Sequence, residues 1–382
     1  MKILILGGDG YLGWPTSMYL AKQGHDVTSI DNLSKREWEK EIGVTSLFHN
    51  IPFEDRVDLW NKNENTHIDS EIMDITDTIS LYSLLRRIQP DAIVHYAEQP
   101  SAPFSMAYVH GAVTTQTNNV IGTLNLTWAV KDCCPDAHIV KLGTMGEYGT
   151  PNIDIEEGYL TVTHNEREHT FLYPKTAGSF YHLSKVHDSN NLDFACRMWD
   201  LKITDLNQGV VYGTETRETK LHKDYATNFH YDSVFGTALN RFCVQAIAGK
   251  PITPYGKGTQ KRAFLNIQDT LACVELAILN PPTEKNKLRV FNQFTETFTV
   301  NELASLVKNA AKETGINATI DNIENPRKEL EEHYFNPKNS GLINLGLAPR
   351  LLSETLVEDM LVGINNHKAR IDNDMLSPKV KW

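Results

Sequence analysis

The apolar run from Lys2 to Leu6 leads directly into Gly7-Gly8-Asp9-Gly10-Tyr11-Leu12-Gly13, and a helical pattern follows to Gln23. Strand, glycine turn and helix in that order leave few folds open. Gly7, Gly10 and Gly13 allow a tight turn, close approach of backbone to a pyrophosphate and packing of the helix on the sheet, with the helix N-terminus facing the phosphates. The next strand pattern, His25 to Ile30, ends in Asp31-Asn32. A carboxylate at that place can hydrogen-bond adenosine ribose hydroxyls, which favours NAD over NADP.

Further strand-like runs at Ala92 to Tyr96, His138 to Leu142 and Lys202 to Asn207 alternate with helical patterns. That alternation predicts an α/β fold, a doubly wound parallel-sheet Rossmann domain. With 382 residues, the chain has room for a smaller α/β C-terminal domain that binds substrate. The expected division is 1–208 for the cofactor domain and 209–382 mainly for the substrate, with parts returning to the first. Residues 34–65 read as an insertion of two short helices carrying Trp38 and Trp60. Thr214 to Phe235 reads either as a lid or as a static insertion, and the basic, polar tail past Asn365 as a surface wrap. The formal charge of -11 argues against nucleic acid and anionic membranes as partners. No run approaches the ~18 apolar residues of a membrane span. Cys133, Cys134, Cys196, Cys243 and Cys273 show no zinc spacing, so no metal is expected and the thiols read as buried in a reducing cytoplasm. The N-terminus shows neither a secretory nor a transit pattern, in keeping with a cytoplasmic location.

Chemistry enters with Tyr181-His182-Leu183-Ser184-Lys185. Tyr181 and Lys185 are four apart on one helical face, so the ammonium lies beside the phenol. Lys185 and an oxidised nicotinamide together favour a phenolate that acts as base near neutral pH. Thr144 follows the strand His138 to Leu142 at its carboxyl end, where open parallel sheets bind ligands, and its hydroxyl suits a substrate oxygen.

These motifs resemble the extended short-chain dehydrogenase/reductase family, in particular its nucleotide-sugar branch. The resemblance implies NAD held by Gly7, Gly10, Tyr11, Leu12 and Gly13 at the pyrophosphate. It puts Asp31, Asn32 and Arg36 at the adenosine ribose, Asp74 and Ile75 at the adenine, and Asn119, Leu142, Gln208, Val211, Tyr181 and Lys185 at the nicotinamide half. Tyr255-Gly256-Lys257-Gly258 with Arg262, and Asn325-Pro326-Arg327, are similar to the segments that hold uracil and the diphosphate. Gln99, Thr144, Thr237 and Arg241 complete the implied substrate set. Thr144, Tyr181 and Lys185 are the implied catalytic residues, and Glu147 and His182 the remaining ionisable candidates, one for proton transfer and one for the incoming or leaving group.

In 4,6-dehydratases of the family an Asp-Glu pair follows the threonine, whereas this chain has Met145-Gly146. Thr144-Met145-Gly146-Glu147-Tyr148-Gly149, and the run Thr150 to Tyr159 after it, look like members that build a sulfonated hexose on a nucleotide, which implies UDP-glucose and sulfite as substrates. Plant members read Gly-Glu-Gln-Arg-Ser-Ala-Pro where this chain has Ala97-Glu98-Gln99-Pro100-Ser101-Ala102-Pro103, so an arginine near the substrate is Pro100 here. A UDP-hexose 4-epimerase or 4,6-dehydratase is the alternative within the family. A non-catalytic NAD-sensing protein is the alternative outside it, and such proteins usually lose the Tyr and Lys pair that is intact here. The resemblance also implies a homodimer.

Overall fold

Twelve strands carry the fold in a computed structural model that describes residues 1–382 except 329, 331, 379 and 382. They are β1 (Lys2–Leu6), β2 (Asp26–Asp31), β3 (Ile68–Ile72), β4 (Ala92–His95), β5 (His138–Thr144), β6 (Tyr159–His164), β7 (Arg167–Leu172), β8 (Ile203–Gln208), β9 (Val210–Tyr212), β10 (Lys261–Asn266), β11 (Arg289–Gln293) and β12 (Glu296–Thr299). Seven form one sheet in the order β11-β8-β5-β4-β1-β2-β3, every pairing parallel. The doubly wound fold is therefore present. Its central strands are apolar on both faces because helices cover both. Ile3 to Leu6 and Ala92 to His95 are all buried. The two edge strands, β3 and β11, each carry three polar residues in five and were not among the expected runs.

Strand order reverses between β1 and β4, which opens a crevice at their carboxyl ends. Gly7 has φ +90°, and a Cβ there would lie 2.7 Å from the carbonyl carbon of Tyr96. A Cβ on Gly13 would collide with the Gly7 carbonyl, so the helix Gly13–Lys22 sits on the sheet only as glycine permits.

A second sheet, β12-β10-β9, packs with the helices Ala238–Ile247, Val300–Glu313 and Glu354–Asn365 around Phe242, Leu303, Val307 and Leu361. β11 leaves this half of the chain to join the large sheet, and the helix Ile267–Leu279 adds Cys273, Val274 and Ile278 to the core under β1. The insertion forms two helices, Ser34–Ile42 and Phe53–Asn63. It packs against Thr214 to Phe235: Tyr225 Oη donates to the Leu59 carbonyl at 3.3 Å, and Leu47 N to the Phe229 carbonyl at 2.9 Å. Tyr225, Phe229 and Tyr231 are buried, so this segment is a packed wall. The tail closes over both: Arg370 donates to the Leu47 carbonyl at 2.7 Å, and Met375 and Leu376 are buried. β6 and β7 form an exposed hairpin whose turn, Asn165-Glu166, has φ 48° and 60°. Among the described residues no helix is long and apolar enough to cross a membrane.

Candidate active site

The crevice is a cavity of about 280 Å³. Of the residues singled out above, Gly7, Gly10, Tyr11, Leu12, Gly13, Asp31, Asn32, Ile75, Leu142, Tyr181, Lys185, Gln208, Val211 and Thr237 line it. Pro100 lines it too, together with Lys35, Trp38, Met73, Glu98, Asn118, His230 and Asn240.

Three residues expected on the cofactor do not line the cavity. Arg36 is turned onto Asp9, with Nε 2.6 Å and one terminal nitrogen 2.8 Å from its carboxylate oxygens. Asp74 accepts from Asn32 Nδ2 at 2.9 Å and from the backbone N–H of Thr76 at 2.7 Å. Asn119 is buried within a π-helical turn, Thr117–Ile121, where it bonds the Gln99 backbone and Ser184 Oγ (2.9 Å). Its neighbour Asn118 faces the cavity instead.

The remaining lining fits a dinucleotide. Gly7 and Gly13 pack directly on neighbouring backbone, where any Cβ would collide, and so hold the glycine turn that forms one wall of the cavity. Asp31 accepts the backbone N–H of Asp9 at 2.9 Å and of Leu33 at 2.7 Å. Burial, with the Asp9 carboxylate beside it, pushes Asp31 up to about 6. Two adjoining acids, Asp9 and Asp31, oppose an additional phosphate on the ribose, in keeping with NAD.

β5, whose Leu142 and Gly143 line the cavity, ends in Thr144, and a four-residue 3-10 turn, Met145–Tyr148, fixes it through a capping box. Thr144 N donates to Glu147 Oε1 at 2.9 Å. The other Glu147 oxygen accepts from Ser189 Oγ at 3.0 Å and from the Lys175 ammonium. Glu147 is fully buried, and both of its carboxylate oxygens are engaged in this frame around Thr144.

Ser179 caps the helix Phe180–Trp199 by accepting from His182 N at 3.1 Å, and that helix presents Tyr181 and Lys185 on one face. Tyr181 hydrogen-bonds the Thr144 side chain. Burial raises the phenol, while Lys141 and the Thr144 bond pull it down. Lys185 Nζ donates to the Leu142 carbonyl at 2.7 Å and pairs with Glu98, and burial lowers it to about 8. Glu98, nearly fully buried and in the cavity wall, was not singled out from sequence; only its place in a quoted motif hinted at it.

His182 does not face outward. A Cβ on Gly146 would collide with its ring, and its Nδ1 lies 3.0 Å from Ser179 Oγ. Burial, reinforced by Arg327 and Arg262, lowers it to about 3, so the imidazole is neutral. Arg241 is buried with its guanidinium 4.4 Å from the Tyr255 ring centroid, and burial and then Arg327 act against its charge. Arg241, Arg262 and Arg327 thus converge near His182 and Tyr255 in a chain of net charge -11, a local site for an anion. Lys257 is exposed and lies 3.5 Å from Glu332. Gln99 is buried, with its carbonyl on Ser101 N (3.1 Å) and Thr115. Among the described residues no cluster of His, Cys, Asp and Glu is arranged to hold a metal.

Residues 3–292 match the NAD dependent epimerase/dehydratase family, and the chain belongs to it. It is an NAD-dependent enzyme of the nucleotide-sugar type. It is 50% identical over 381 residues to UDP-sulfoquinovose synthase, chloroplastic, of Spinacia oleracea, covering 100% of this chain and 79% of the relative. UDP-sulfoquinovose synthase of Sulfolobus acidocaldarius is 42% identical, with 100% and 98% covered. The fold is shared with UDP-glucose 4-epimerase of Thermus thermophilus in complex with NAD, at a TM-score of 0.66 and 21% identity over 95% of this chain and 99% of that one.

Proposed function

We propose that the chain is a UDP-sulfoquinovose synthase, converting UDP-glucose and sulfite to UDP-sulfoquinovose and water. The observation that carries this is identity of 50% and 42%, over the whole of this chain, to two relatives of that name from a plant and an archaeon. The cavity lined by Gly7, Gly10, Asp31 and Lys185 would hold NAD, which would supply a hydride acceptor for carbon 4 of the sugar and the hydride for its later reduction. Tyr181 removes the carbon 4 hydroxyl proton, Thr144 holds that oxygen, and Lys185 orients and charges the site. A ketone at carbon 4 makes the carbon 5 proton acidic, loss of the carbon 6 hydroxyl follows, and sulfite adds at carbon 6. With Glu147 committed to Lys175 and Thr144, we assign the proton transfers at carbons 5 and 6 to the neutral His182. Arg262 and Arg327 hold the diphosphate, with Arg241, Tyr255 and Thr237 beside them.

Residues 1–208 serve as the cofactor domain and 209–382 mainly as the nucleotide-sugar domain. Val109, Val113, Ile121, Trp128, Phe180, Phe194 and Met198 are exposed apolar residues on neighbouring helices, which supports a homodimer. Five free cysteines fit a cytoplasmic setting. The test is mass spectrometry of the nucleotide sugar after incubation of the NAD-loaded protein with UDP-glucose, with and without sulfite. A sulfite-dependent product in which sulfonate replaces hydroxyl is expected. Galactose at unchanged mass, or loss of water without sulfur, would assign the chain to the epimerases or dehydratases instead.

A further inference from the structure

Three fully buried ionisable groups lie on the sheet face covered by the helix Phe180–Trp199, and the reaction above uses none of them. Register places Lys141 of β5 beside Asp205 of β8. Asp188 comes down from the helix, one turn beyond Lys185. Lys141 Nζ is 3.7 Å from Asp205 Oδ1 and 3.8 Å from Asp188 Oδ2, too far for direct hydrogen bonds. Lys141 Nζ, both Asp188 oxygens, Asp205 Oδ1 and Asn207 Oδ1 have no hydrogen-bond partner. Burying charges in so open an arrangement costs several kcal/mol, more than a structural ion pair of good geometry would. Gly143 leaves the space: a Cβ there would stand 2.7 Å from Asp205 Oδ1 and 2.8 Å from Glu147 Oε1.

The neighbour that gives this cluster a use is Tyr181. Its phenol is within electrostatic reach of Lys141 from β5, Glu147 from the turn after it and Asp188 from its own helix, with Thr144 hydrogen-bonded to it. Lys185 lies 5.8 Å from its ring centroid and His182 5.1 Å ring to ring, while Asp205, Glu98 and Lys175 stand behind these. The two lysines differ. Lys185 is paired with Glu98 and lowered by burial to about 8. For Lys141, burial works against the charge, but Asp205, Asp188 and Glu147 outweigh it and hold the ammonium above the ordinary lysine range.

We propose that Lys141 is a positioning residue for the Tyr181 base: a second ammonium, set between Asp188 and Asp205, that stabilises the phenolate from the sheet side. This rests on Tyr181 being the carbon 4 base. The test is the pH dependence of turnover for wild type, Lys141→Met, Asp188→Asn and the double variant, with Tyr181→Phe as control. Loss of the cation moves the limb that reports the phenol upward by about one unit or more, loss of the anion moves it downward, and the double variant returns toward wild type. Tyrosinate absorbance titration, with the Tyr181→Phe spectrum subtracted, follows the same order. A merely structural role lowers rates without moving the limb. Superimposed limbs for Lys141→Met and wild type, or a shift of Asp188→Asn in the same direction as Lys141→Met, overturn the proposal. If Lys141→Met does not fold, the downward shift of Asp188→Asn decides it. Full turnover by Tyr181→Phe would instead overturn the assignment of the base.

Discussion

Replacing Glu147 with glutamine separates a frame residue from a proton-transfer residue. The Glu147 carboxylate is fully buried and faces the Lys175 ammonium, which is 3% exposed, while also accepting from Thr144 N and Ser189. Removing one charge of a buried pair costs about 3–5 kcal/mol, because the other is left uncompensated. The amide oxygen still accepts one N–H, which returns about 1 kcal/mol. A net loss of about 3 kcal/mol is therefore expected in urea denaturation followed by tryptophan fluorescence. The double variant Glu147→Gln, Lys175→Met removes both charges and should recover about 2 kcal/mol of it. Turnover of the single variant at low temperature should stay within about tenfold of wild type, since Thr144 keeps a hydrogen-bonded backbone. A general acid or base would lose about 10²–10⁴-fold. Unchanged stability together with a thousandfold loss of rate would refute this account of Glu147.

Gly146→Ala drives a methyl into the His182 imidazole, so turnover should fall about 100-fold while titration of UDP-glucose by calorimetry shows little change in affinity. Asp188 is pushed up to about 7 by burial, with Lys141 acting the other way. A carboxyl raised above its unfolded value binds its proton more tightly in the native state. Its contribution is fully present below about pH 4 and is lost as pH rises through about 7. Urea stability of wild type relative to Asp188→Asn should accordingly decline from pH 5 to pH 8. Asp9→Asn uncouples Arg36 and the buried Arg56 from their shared carboxylate, so cofactor-binding fluorescence should show the preference for NAD over NADP narrowing.

The strands that build the crevice were legible because β1, β2, β4, β5 and β8 are apolar runs between helical patterns. β3 and β11 were not: β3 carries the exposed Asp69 and Glu71, and β11 the buried but polar Asn292 and Gln293, and these break the apolar run. Tyr181 and Lys185 were legible from helical spacing, a local property. The contact of Arg36 with Asp9 was not legible, because the two are 27 residues apart and only the fold brings them together. The partners of Glu147 were hidden for the same reason: Lys175 and Ser189, which occupy its carboxylate, come from a loop and a helix. Glu98 meets Lys185 across the sheet, and no pattern along the chain announces that contact. The face of His182 depended on a missing side chain, since Gly146 is what gives its ring room.

The most direct measurement uses UDP-glucose deuterated at carbon 4, incubated with sulfite and the NAD-loaded protein, followed by mass spectrometry and NMR of the nucleotide sugar. Hydride removed and returned within one closed site predicts a sulfonated product that retains deuterium at carbon 4, with no free NADH. Deuterium retained in UDP-galactose, with no sulfur incorporated at any sulfite concentration, would contradict the account.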